Sequence, residues 1–108
     1  MLISTTEVLQ GFDITDYLGI VTGENVAGAN FVRDVMATVT DYVGGRSTTY
    51  EEVIGTAREA ALSEMSDRAQ LLGANAVVGV AIDIEAIGSR GAMLMVTASG
   101  TAVRIIKT

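Results

Sequence analysis

The chain has neither cysteine nor histidine among its 108 residues. That double absence removes disulfides, thiolate nucleophiles, imidazole general bases, Ser-His-Asp triads and zinc sites built on thiolate or imidazole. No haem, zinc–thiolate or nucleotide motif is present, so no cofactor is named by the sequence. A bound metal would have to be held by oxygen, which suits hard cations such as Mg²⁺ or Ca²⁺. Proline is missing as well, where average usage would supply about five. Strand edges therefore lack one of their usual guards against pairing with another chain. Basic residues are few and stand singly: seven against thirteen acidic ones, for a net charge of −6. A nucleic-acid partner needs clustered Lys and Arg, and an anionic membrane surface needs the same, so neither is expected.

Apolar residues, by contrast, are abundant, at 49% of the chain with a mean hydropathy of +0.43. A folded monomer of this mass exposes about 5,700 Å² and buries roughly two-thirds of the surface of its unfolded chain. One such core needs less apolar material than is present here, and a membrane or a further copy of the chain has to take the excess. The uncharged run from Gly91 to Val103 is 13 residues, short of the about 20 that a spanning helix requires. Met1-Leu2-Ile3-Ser4 has no basic region and no long apolar stretch of the signal-peptide kind. The expectation is a cytoplasmic homo-oligomer with no membrane partner. No linker, low-complexity run or internal repeat divides the chain, so residues 1–108 are read as a single domain.

Hydrophobic period gives the elements. Leu2 to Thr5 is a short strand candidate and Asp13 to Glu24 a longer one, with Ile14, Leu18 and Ile20 of one parity. Val32, Val35, Met36, Val39 and Val43 mark one face of a shorter helix over 30–43, ended by Gly44-Gly45. A long helix begins at Ser47-Thr48-Thr49, where Thr48 and Glu51 have capping-box spacing. Its stripe reads Tyr50, Ile54, Ala57, Ala61, Met65, Leu72, and Gly73 stops it after about 25 residues. Ala76 to Ile87 is a strand with Val78, Val80, Ile82 and Ile84 on one face, and Met93 to Ile106 is its hairpin partner. If paired residue numbers sum to 180, Ile82 meets Ala98, Ile84 meets Val96 and Val80 meets Gly100. One sheet face is then apolar, while the other carries Gly79, Ala81, Asp83, Glu85, Met95, Thr97, Ser99 and Thr101. This order predicts an α+β fold, an antiparallel sheet with one long and one shorter helix packed against it. The second sheet face is too small and too little charged for an ordinary solvent surface, so subunit contacts are expected there or at the strand edges.

Several blocks occur in order: Gly19-Ile20-Val21-Thr22-Gly23-Glu24, Val43-Gly44-Gly45-Arg46-Ser47, Leu72-Gly73-Ala74-Asn75-Ala76-Val77-Val78-Gly79-Val80, and Met93-Leu94-Met95-Val96 with Ser99-Gly100-Thr101-Ala102-Val103. Together they resemble the YbjQ-like family over nearly the whole chain. The resemblance implies a small α+β subunit of a ring-like homo-oligomer, a homopentamer, in a family labelled uncharacterised or heavy-metal-binding. It brings no catalytic residues with it.

Two constellations carry chemistry. Gly44, Gly45, Arg46, Ser47 and Thr48 place a glycine turn and a fixed cation at a helix start, an arrangement that holds an anion or, more simply, caps the helix. No Lys follows in Walker spacing. Asp83 and Glu85 share a face two residues apart and could hold a hard cation, or be solvated. Met93 and Met95 offer thioethers to Cu(I), but strand methionines are first of all packing residues. The leading expectation is a non-enzymatic homo-oligomer that binds a small-molecule ligand or ion at subunit boundaries, or serves as a scaffold. The alternatives are an enzyme whose carboxylates meet Arg46 and a hydroxyl of Ser47, Tyr50 or Ser99 across an interface, and a protein binding a metal cation through oxygen ligands.

Overall fold

The computed structural model describes residues 1–27, 48–88 and 93–108, the first three helical residues by their backbone alone. They form β1 (Leu2–Ile3), β2 (Phe12–Ala27), α1 (Thr48–Leu71), β3 (Ala76–Ile87) and β4 (Met93–Lys107). The strands make one sheet in the order β1-β3-β4-β2. β4 pairs antiparallel with β3 on one side and β2 on the other, but β1 lies parallel to β3 through Leu2–Ala76 and Ile3–Val77. The sheet is therefore mixed rather than wholly antiparallel. β2 and α1 intervene between β1 and β3, and a connection of that length can bring the chain back in the same direction. The shorter helix expected over 30–43 lies outside the described residues, among which α1 is the one helix.

α1 buries Val53, Ala57, Ala61, Met65 and Ala69, a stripe that repeats every four residues. This corrects the expected stripe. Leu72 falls beyond the helix and is half exposed, Ala69 takes the buried position, and Ile54 sits at the margin of the cluster of Ala27, Val53 and Leu94. Alanines win because the helix lies very close to the sheet. A Cβ on Gly23 would overlap the Ala61 carbonyl oxygen and come within 2.6 Å of the Met65 amide nitrogen. With Val53 beside Ala27 and Ala61 over Gly23, the helix runs antiparallel to β2. It ends as its glycine predicts. Gly73 has φ +89°, the Ala74 N–H bonds to the Ala69 carbonyl (3.1 Å), and the Gly73 N–H bonds to the Gln70 carbonyl (2.9 Å). This is the Schellman arrangement, and the apolar contact that accompanies it is Ala74 against Ala69 in the main core.

The β3–β4 register follows the sum of 180 from Ala81 to Ile87, so Ile82 meets Ala98 and Ile84 meets Val96. Below Ala81 it slips by one, with Val78 opposite Thr101 and Val77 opposite Ala102, across a bulge in which Gly79 has φ +62°. Val78 is consequently not on the face of Val80 and Ile82. Val77 and Val80 share the helix side, while Val78 joins Ala76, Val103 and Ile105 on the other. Val80 is a side-chain neighbour of Gly100 rather than its register partner, and a Cβ on Gly100 would lie 2.6 Å from Val77 Cγ1. β2 shifts at nearly the same level, between Ile14 and Asp16 and between Tyr17 and Gly19. Ile14, Leu18 and Ile20 therefore do not share a face: Ile14 packs with Val103 and Ile105, Leu18 packs toward the helix, and Ile20 is exposed. A strand pattern with period two cannot register an extra residue, so periodicity alone misassigns everything beyond a bulge.

Candidate functional site

Of the predicted anion site, Gly44, Gly45, Arg46 and Ser47 lie outside the described residues. Thr48 is the first residue of α1, and its side chain lies outside them too. Tyr50, the hydroxyl candidate on the same helix, is described by its backbone only. Asp83 and Glu85 are placed, both exposed on β3, with Thr97 opposite Asp83 as expected and Met95 opposite Glu85. Alternation puts Ala81 and Ile87 beside them. β4 adds Met93, Met95, Thr97, Ser99 and Thr101, all half-buried, and β2 adds Ile20, Thr22, Glu24 and Val26. No element among the described residues covers this face at that level. At the other end of the sheet the same face is closed by Leu9 and Phe12, packed on Ala76, Val78, Val103 and Ile105.

What this surface can do is bounded by its chemistry. Among the described residues no three acidic side chains gather as a metal site, so Asp83 and Glu85 stand as a pair. Met93 and Met95 stand opposite Ile87 and Glu85 in the hairpin register. No buried side-chain nitrogen or oxygen among the described residues lacks a hydrogen-bond partner, so no orphaned polar group points at a missing ligand. An open groove on the outer side of α1, lined by Glu52, Gly55, Thr56, Arg58 and Glu59, offers carboxylates and a guanidinium in an open setting.

Two polar arrangements were not anticipated from the sequence. Arg68 donates to the Thr22 carbonyl at 2.8 Å and pairs with Glu24 (3.6 Å) and with Glu64 one helical turn earlier. Only the Glu64–Arg68 spacing of four was legible beforehand. Asn75 acts as a short length of false backbone: its Nδ2 donates to the Ile105 carbonyl (2.9 Å) and its Oδ1 accepts from the Ile105 N–H (2.7 Å). A side chain imitating a strand leaves no periodic signal.

A family model described as "Putative heavy-metal-binding" matches residues 1–106. The chain belongs to the YbjQ-like family. Within it, a UPF0145 protein from Carboxydothermus hydrogenoformans is 53% identical over 105 residues, 97% of this chain and 96% of that protein. Among solved structures, a protein of unknown function from Pediococcus pentosaceus, described as a DUF74 family member, superposes with a TM-score of 0.54. It covers 98% of each chain at 19% identity, which speaks for the fold alone. The family's heavy-metal description does not fit the donors of this YbjQ-like chain. Soft and borderline ions are held by thiolate and imidazole, and this chain has no Cys or His anywhere.

Proposed function

We propose that this YbjQ-like chain is a non-enzymatic subunit of a homo-oligomer, a pentameric ring by family resemblance, whose subunit boundaries bind a small ligand or ion or serve as a scaffold. The observation that carries the reading is the amount of large apolar side chain left in water. Leu71 is 88% exposed, Ile20 81%, Val8 77% and Tyr17 73%, with Leu2, Val26, Ile82, Ile84 and Ile106 also exposed. The accessible surface is 6848 Å², against the about 5,700 Å² expected of a compact monomer of this mass. Apolar surface of this extent is what association removes from water. The polar groups a ligand would meet at a boundary on the open sheet face are Asp83, Glu85 and Thr97, and repetition around a ring would multiply that acidic pair. No helix among the described residues is long and apolar enough to cross a membrane, which leaves a further copy of the chain as the cover this reading favours.

Native mass spectrometry of the purified protein is the test, because it reports subunit number and retained ligand together. The expected spectrum is a single multiple of the 11.2 kDa chain, five for the ring. A monomer at micromolar concentration would overturn the reading.

A further inference from the structure

β2 is 16 residues long and, among the described strands, is paired on one side only, by β4. Apart from the register shift between Tyr17 and Gly19, its middle has none of the usual edge protections. Tyr17 to Gly23 is seven residues without a charge, no proline interrupts the strand and no lysine lies on it. An uncharged stretch of that length on an open edge is a template for another strand. Arg68 lies across it. Val21 and Gly23 face α1, so Thr22 and Glu24 point to the opposite side of the sheet. Arg68 starts from α1 and still reaches the Thr22 carbonyl (2.8 Å), Thr22 Oγ1 (3.4 Å) and the Glu24 carboxylate (3.6 Å). With β4 closing the inner side of β2, that path passes over the outer edge. Glu64 holds the guanidinium from the helix side.

We propose that Arg68 is a strand-edge guard. It occupies the Thr22 carbonyl and stands its guanidinium in the lane where another strand would lie, so that β2 of a second copy cannot add to this sheet. β2 is the favoured intruder because an isologous contact brings the same edge from both copies and needs no second complementary surface. The ion pairs at this exposed position contribute little to stability, and the role of the side chain is to block. Whether the wild-type chain is itself oligomeric is a separate question, since the guard concerns association added when Arg68 is lost.

Sedimentation velocity over a concentration series tests it on Arg68→Ala, on Ile20→Lys and on the double variant Arg68→Ala with Ile20→Lys. The single variant should show a several-fold rise in species heavier than the wild-type particle, growing with concentration, together with slower amide exchange over residues 20–24 in those species. The added lysine on the same strand should cancel that rise, leaving the distribution of Ile20→Lys alone. If Arg68→Ala loses its cooperative melt, Arg68→Met, which keeps the stem and removes only the donors, carries the same comparison. An unchanged mass distribution in the folded single variant, or a rise that Ile20→Lys leaves in place, would overturn the guard.

Discussion

Asn75 shows how much one side chain can settle. Its amide replaces a pair of backbone groups opposite Ile105, while its own N–H bonds to the Val103 carbonyl and Arg104 reaches back to the Gly73 carbonyl at 3.0 Å. The turn leaving α1 is thereby fastened to β4 before β3 begins. Replacement by alanine leaves a partly buried N–H and C=O without partners, at a cost of about 1–3 kcal/mol. Asn75→Asp is more informative. An ionised carboxylate can still accept from the Ile105 N–H but cannot donate to the Ile105 carbonyl, whereas the protonated acid can do both. Folding then favours the protonated form and raises the carboxyl pKa. The folded state binds more protons than the unfolded one, so this variant's stability relative to wild type falls as pH rises through that pKa. Urea melts at several pH values should show the deficit largest near neutrality and shrinking on acidification. A deficit independent of pH would mean that the donor to Ile105 is dispensable.

At the scale of elements, the contact between α1 and β2 fixes the layer spacing. Gly23 has no room for a Cβ because helix backbone, not a flexible side chain, occupies the space. Gly23→Ala must lift the helix, and overpacking of this kind costs typically about 1–3 kcal/mol. For a chain of this size about 2 kcal/mol corresponds to a fall of roughly 8–16 °C in melting temperature. Calorimetry decides it, and an unchanged melt would mean that the helix can shift without loss. The sequence made much of this architecture legible. The span of β3, the hairpin to β4, the start of α1 near Thr48 and its stop at Gly73 all follow from periodicity and glycine placement. The bulge at Gly79 did not, because a conformation with positive φ leaves only a glycine behind, and Gly23 is a glycine for a different reason, close approach. The parallel pairing of β1 rests on two residues, Leu2 and Ile3, too few to show a period. Of the candidate site, the Asp83–Thr97 register was readable from segregation of faces, while the Arg68 contact depends on a strand and a helix 46 positions apart meeting.

For the molecule as a whole, the open sheet face separates two outcomes. Ser99 lies half-buried at its centre, between Ala81 on β3 and Thr22 on β2. If subunits meet there, Ser99→Glu buries a charge without an evident partner, a penalty on the order of several kcal/mol, and the oligomer peak should be lost in sedimentation. If that face meets water, the change should stay within about 0.5 kcal/mol and leave the mass unchanged, moving the contact to the strand edges. The bulge at Gly79 bears on how such a chain can vary over descent. Because the bulge sets Gly79 and Val80 against Gly100 alone, losing the codon for Gly79 would leave Val78 opposite Thr101 and Val77 still facing α1, whereas straightening the strand with every residue kept would turn its first part inside out. Point changes along β3 can accumulate one side chain at a time, and the bulge is the place where its length can change without exchanging its two surfaces.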